Sequence, residues 1–168
     1  TIHPFLDGNG RVGRLMITLY LVENDLLSRP ALYLSDYLEK NRDAYYRHLT
    51  EIREKNEMIP WIKFFLKGVI VTAENAKNTF IKIIELQKEM ETRLRSFGSR
   101  AEKINSIINA FYESPILSVK DIVAKTGIPD KTTRNLLELM REDNLIKEMT
   151  GYERNRLFIF EKYFNLFK

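Results

Sequence analysis

His3, Asp7, Arg11 and Arg14 fall within twelve residues of one another, with glycines at 8, 10 and 13 and the amide of Asn9 among them. Each type has a distinct use if the ligand is a metal-bound triphosphate. Glycines let backbone approach phosphate closely, and a helix starting there offers unpaired N–H groups and the positive end of its dipole to an anion. Arg11 and Arg14 are three apart, share a helix face and can clamp phosphate oxygens with planar, forked donors. Asp7 supplies a hard oxygen ligand for a divalent ion, and His3 is a side chain able to take a proton near neutral pH. The combination points to phosphate chemistry.

The run His3-Pro4-Phe5-Leu6-Asp7-Gly8-Asn9-Gly10-Arg11-Val12-Gly13-Arg14 resembles the signature of Fic-family proteins, H-P-F-x-[D/E]-G-N-G-R-x-x-R, and fills every fixed position of it. The resemblance continues through Leu32-Tyr33-Leu34-Ser35, Asn41 to Tyr46, and Trp61 to Gly68, so it covers roughly the first hundred residues. It implies a protein adenylyltransferase that moves AMP from ATP to a Ser, Thr or Tyr hydroxyl of a target protein. In that reading His3 is the general base and Asp7 holds Mg²⁺. Nucleotide contacts fall on Gly8, Asn9, Gly10, Arg11, Val12, Gly13 and Arg14, with the backbone N–H groups of Gly8 to Gly10 included. Tyr45 and Tyr46 line the adenosine pocket, Tyr45 ahead of its neighbour because adjacent helical residues diverge by about 100°. Fic relatives of the Doc toxin type carry Lys where Gly10 stands and phosphorylate instead, so Gly10 followed by Arg11 favours adenylylation. De-adenylylation by the same loop is a further option, as is self-modification.

A second motif lies in the same letters. Gly8-x-Gly10-x-x-Gly13 matches the dinucleotide-binding glycine fingerprint, which requires a preceding strand and a βαβ unit. His-Pro-Phe precedes it and successive helical patterns follow, so the context excludes that reading. The family's inhibitory pattern, [S/T]-x-x-x-E-[G/N], does not occur in these 168 residues. The family's target-aligning flap lies N-terminal to the motif, and the chain reads as the C-terminal part of a longer protein.

Positioning these groups requires a mainly α fold. Apolar spacing predicts a helix from about Asn9 to Leu26 with Leu15, Leu19 and Val22 as its stripe, a connector at Pro30, and a short helix capped by Ser35. A helix from about Arg42 carries Tyr45, Tyr46, Leu49 and Ile52, with His48 on its solvated side. Pro60 then suits the first turn of a long helix whose Trp61, Phe64, Phe65, Val69 and Ile70 face a core. Within the loop, burial of Phe5 is expected to fix the conformation, Asp7 is an alternative cap for the helix, and Gly13 allows close helix packing.

Gly98-Ser99 reads as a break, dividing a C-terminal part of the Fic domain (1–98) from a tail (99–168). In the tail, Ile104, Ile107, Ile108 and Phe111 mark one helix, Ser118 caps a second, and Asp130 opens a third after the turn at Gly127. A hairpin of Ile146–Met149 and Leu157–Phe160 follows, making a small winged helix-turn-helix pattern. Base readers would be Lys131, Thr132, Thr133 and Arg134, with Arg154 and Arg156 on the wing. Residues 101–168 hold eleven basic and ten acidic side chains, and the whole chain 27 and 23. This balance makes protein, including a second copy of the chain, the first expected partner and DNA the second, through which the chain would act as a transcriptional regulator. No apolar run approaches the ~20 residues of a membrane span. The lack of cysteine and of a signal peptide suits a cytoplasmic protein.

Overall fold

The computed structural model describes residues 3–27, 34–152 and 155–167. It is mainly helical with one small antiparallel sheet. Contacts divide the chain into two compact units, Thr1–Asn78 and Thr79–Lys168.

The first unit contains α1 (Asn9–Glu23), α2 (Leu34–Lys40), α3 (Arg42–Lys55) and the first part of α4 (Met58–Leu94). Asn24 ends α1 by bonding the Tyr20 carbonyl through both its backbone N–H and its side-chain amide. Ser35 lies inside α2, one residue after its start, and is not its cap. Pro60 sits in the first turn of α4, where its missing N–H has no helical partner to lose. The core of this unit is centred on Leu34 and Leu38 of α2, with Ile17 and Leu21 of α1, Tyr45 of α3, and Phe64, Phe65 and Val69 of α4 packed around them. The α1 stripe expected from spacing is turned outward: Leu15 and Leu19 are 58% and 53% exposed. Ile17 and Leu21, four apart on another face, make the contact instead, because α2 and α4 lie on that side. Gly68 decides how closely α4 approaches α2. A Cβ there would stand 2.6 Å from the Tyr37 ring and 3.2 Å from Leu34. Thr72 bonds the Gly68 carbonyl from one turn on.

The second unit contains the rest of α4, a 3₁₀ segment (Arg95–Arg100), α5 (Ala101–Glu113), β1 (Ile116–Ser118), α6 (Val119–Thr126), α7 (Asp130–Glu142), β2 (Lys147–Glu148), β3 (Leu157–Ile159), α8 (Glu161–Phe164) and a last 3₁₀ turn, Asn165–Phe167. Three helices and two hairpin strands lie where the periodicity put them. The third strand, β1, has only three residues, too few to show alternation in the sequence. It pairs with β3, Leu117 opposite Phe158, so the sheet order is β1-β3-β2. Ser118 and Asp121 form a reciprocal capping box at α6, and Gly127 ends that helix at φ 69°. The core joins Ile104, Ile107, Ile108 and Phe111 of α5 to Ile122, Leu136, Leu137, Met140, Phe158 and Phe160.

Leu86, Met90 and Leu94 of α4 belong to this second core. The break at Gly98 is real as a local feature, with φ 55° and ψ −127°. It lies inside the second unit, however, and the division falls about twenty residues earlier than the composition suggests. The cause is the four-residue spacing of those three side chains, which gives the end of α4 an apolar face shared with α5 to α7. Among the described residues, no helix is long and apolar enough to cross a membrane.

Candidate nucleotide site at the start of α1

The loop before α1 is held by its own polar groups. The Asn9 amide accepts from the Phe5 N–H at 3.0 Å and donates to the Phe5 carbonyl at 2.6 Å, closing a ring over residues 5–9. The Phe5 side chain is 54% exposed, so hydrogen bonding, and not burial of the aromatic ring, fixes the turn. Gly8 stands at the cap position of α1 with φ 77°, a conformation that costs most other residues about 1–2 kcal/mol. Its carbonyl takes the N–H groups of Arg11 and Val12. Its own N–H donates to the Asp7 carboxylate at 2.6 Å. Asp7 therefore does not cap α1, and the Gly8 N–H is engaged before any ligand arrives. Among the described residues, the N–H groups of Asn9 and Gly10 have no partner. They are the donors this helix start leaves for an anion.

A pocket of about 210 Å³ opens beside these groups. His3, Asn9, Gly10, Gly13 and Arg14 border it on one side, and Tyr45, Trp61 and Phe65 on another. The Arg14 guanidinium reaches back along the helix: a Cβ at Gly10 would lie 3.4 Å from its Nη1. At Gly13 a Cβ would touch nothing within 4 Å, so this glycine leaves room at the pocket and does not serve close helix packing. Arg11 and Asp7 are exposed and outside the lining, and Val12 is half-buried.

Aromatic contacts build the far wall. Tyr45 lies 5.4 Å from Trp61 and 5.2 Å from Tyr46, centroid to centroid. Trp61 packs in turn on Phe64 and Phe65. Tyr46 is exposed with the Arg42 guanidinium 5.7 Å above its ring, and does not line the pocket. His48 is half-buried, 2.9 Å from Glu51 and against Phe64, not on a solvated side. Trp61 and Phe65 read from sequence as core because the same 3–4 spacing serves a core face and a pocket wall. Only the position of α1 opposite them separates the two roles. No group of three or more His, Cys, Asp or Glu side chains able to hold a metal occurs among the described residues. A divalent ion at Asp7 would thus take water or ligand oxygens to complete its coordination.

The residues assigned to base reading in the tail are differently placed. Thr133 is fully buried and donates to the Ile128 carbonyl, which removes it from any surface. Arg134 forks onto Asp130 at 2.6 and 3.2 Å. Arg156 is paired with Glu138 and stacked over Phe158. Lys131 is exposed, Thr132 half-buried, and Arg154 lies outside the described residues, as do Pro30, Leu32 and Tyr33.

A histidine-bearing loop, a glycine-rich helix start, an arginine and an aromatic wall thus border one pocket. Residues 1–21 match the model of the Fic/DOC family. The chain is 45% identical over 53 residues to a probable protein adenylyltransferase of Aquifex aeolicus, covering 32% of this chain and 14% of that protein. It is 28% identical over 120 residues to the protein adenylyltransferase Fic of Drosophila erecta and of Drosophila melanogaster, covering 67% of this chain and 23% of each. The chain thus spans less than a quarter of the length of the curated relatives it matches.

Proposed function

We propose that this chain carries the nucleotide pocket of a protein adenylyltransferase, with ATP as donor and a Ser, Thr or Tyr hydroxyl of a protein as acceptor. One observation carries the reading: His3 and Arg14, apart in sequence, border the same pocket as the free N–H of Gly10 and the Tyr45 ring. The adenine ring fits against Tyr45 and Trp61, and the phosphates against the N–H groups of Asn9 and Gly10 and the Arg14 guanidinium. Arg11, exposed on the next turn, is available to the outer phosphates.

In the reaction the target hydroxyl oxygen bonds to the α-phosphorus, the bond to the bridging oxygen breaks, and pyrophosphate leaves. The hydroxyl proton passes to the His3 ring. Asp7 retains a second carboxylate oxygen for Mg²⁺, which when bound neutralises phosphate charge. Fixed donors at the helix start stabilise the charge that develops on the α-phosphate, and no protein nucleophile is needed. The relatives' names support the activity, and Gly10 in place of lysine supports adenylyl over phosphoryl transfer. The residue order of the second unit supports a winged-helix tail. Its paired arginines and buried Thr133 favour a protein partner over DNA.

The test uses the full-length protein and ATP labelled at the α-phosphate. His3→Ala is expected to abolish labelling of the target while calorimetric ATP binding persists, and mass spectrometry of the wild-type product should show a gain of AMP. Labelling by His3→Ala at the wild-type rate refutes the assignment.

A further inference from the structure

The second unit holds a larger cavity that the nucleotide chemistry does not use, a groove of about 560 Å³ between the end of α4 and α5. Its floor is apolar, formed by Met90, Leu94 and Ile108, all buried. Its walls are polar. Gln87 and Glu91 stand one turn apart along α4, Arg95 opens the 3₁₀ segment that follows, and Glu102, Asn105 and Asn109 run along the facing side of α5. Among the described residues none of these six side chains makes a hydrogen bond or ion pair, although charged neighbours such as Arg93 and Lys162 find partners. Tyr112 also lines the groove, and its hydroxyl is buried with no hydrogen-bond partner. An orphaned buried hydroxyl is costly unless something supplies the missing bond.

We infer that this groove docks an extended, basic segment of a protein partner. Asn105 and Asn109 are poorer helix formers than alanine, lysine or glutamate, and here they gain no local bond in exchange. A primary amide offers one acceptor and two donors, the complement of a peptide unit. Four helical residues advance about 6 Å, and two residues of extended chain about 6.6 Å. The two asparagines therefore match alternate peptide units of a strand lying along α5, and Gln87 serves the same backbone from α4. The apolar floor takes the side chains that point inward. Two carboxylates against one guanidinium leave the walls with a net negative charge in a chain whose total is +4, so the segment carries lysine or arginine. Burial first, with Tyr163, Glu89 and Glu91 nearby, pushes the Tyr112 hydroxyl up to about 12.

The experiment pans the full chain against phage-displayed random dodecapeptides and measures the strongest selected peptide by fluorescence anisotropy. Enriched peptides should carry Lys or Arg near an apolar residue. The double variants Asn105→Ala/Asn109→Ala and Glu91→Gln/Glu102→Gln should each weaken binding about tenfold, the loss of one to two net hydrogen bonds or a charge pair. Melting curves check that these surface variants stay folded. Absence of enrichment over bare support, or affinity within twofold of wild type in both variants, overturns the proposal. So does concentration-dependent dimerisation abolished by the same variants, which would make a second copy the occupant.

Discussion

Asn9→Ala separates holding the loop from touching the ligand. Wild-type Asn9 makes two hydrogen bonds, both to the backbone of Phe5. Each is worth about 0.5–1.5 kcal/mol net, and exposure places them in the lower half of that range. Together they contribute about 1–2 kcal/mol to closing the loop, so removing the amide should raise the open population about 5- to 30-fold. The assay is hydrogen exchange of the Phe5 amide followed by NMR, which reads that population directly. Asn9→Asp keeps an acceptor for the Phe5 N–H but sets a carboxylate oxygen against the Phe5 carbonyl. It should retain much of the Phe5 protection while still loosening the turn. ATP affinity in Asn9→Ala should fall by no more than the loop opening. Exchange of Phe5 at the wild-type rate in Asn9→Ala would refute the amide's role in the turn. A loss of ATP affinity far beyond the change in exchange would show that Asn9 contacts phosphate itself.

Gly68→Ala should destabilise the first unit by about 1–3 kcal/mol through overpacking, because the new methyl meets the Tyr37 ring at 2.6 Å. A higher melting temperature would mean that helix propensity wins and the close approach is not real. A fragment of residues 79–168 should melt cooperatively, whereas 99–168 should be largely unfolded by circular dichroism. The shorter piece lacks Leu86, Met90 and Leu94, each worth about 2–5 kcal/mol when buried, and the Arg93 bonds to Asp143. Ser118→Ala should cost about 1 kcal/mol by removing the α6 cap. Hydrogen bonds from the Ser118 hydroxyl and then its backbone N–H hold the Asp121 carboxyl below its usual range. That contribution is therefore present above the unfolded value of about 3.9 and lost as pH falls through the lower folded one, so Asp121→Asn should flatten this part of the acid limb in urea titrations.

Much of the second unit was legible in the residues. Ser118 with Asp121, Gly127 before Asp130, and the apolar spacing of α5 are local signals, and local hydrogen bonds and caps obey them. The glycine-rich loop and helix start of residues 3–14 were equally plain, since backbone freedom and a helix start are properties of a short segment. What a side chain does in that segment was not. Spacing marked Leu15 and Leu19 as the inner face of α1, but a helix has several faces with apolar residues, and only the location of α2 and α4 selects Ile17 and Leu21. The same holds for Trp61, whose apolar spacing cannot distinguish packing in a core from bordering a cavity. Thr133 carried the letters of a surface reader and is buried, because the turn before α7 offers it the Ile128 carbonyl. Sequence by itself determines which segments form helices and where a glycine-rich loop meets a helix start, because those depend on neighbours within about four residues. Which faces are covered, which donors remain free, and which aromatic rings meet His3 and Arg14 depend on residues dozens of positions away, and tertiary packing alone decides them.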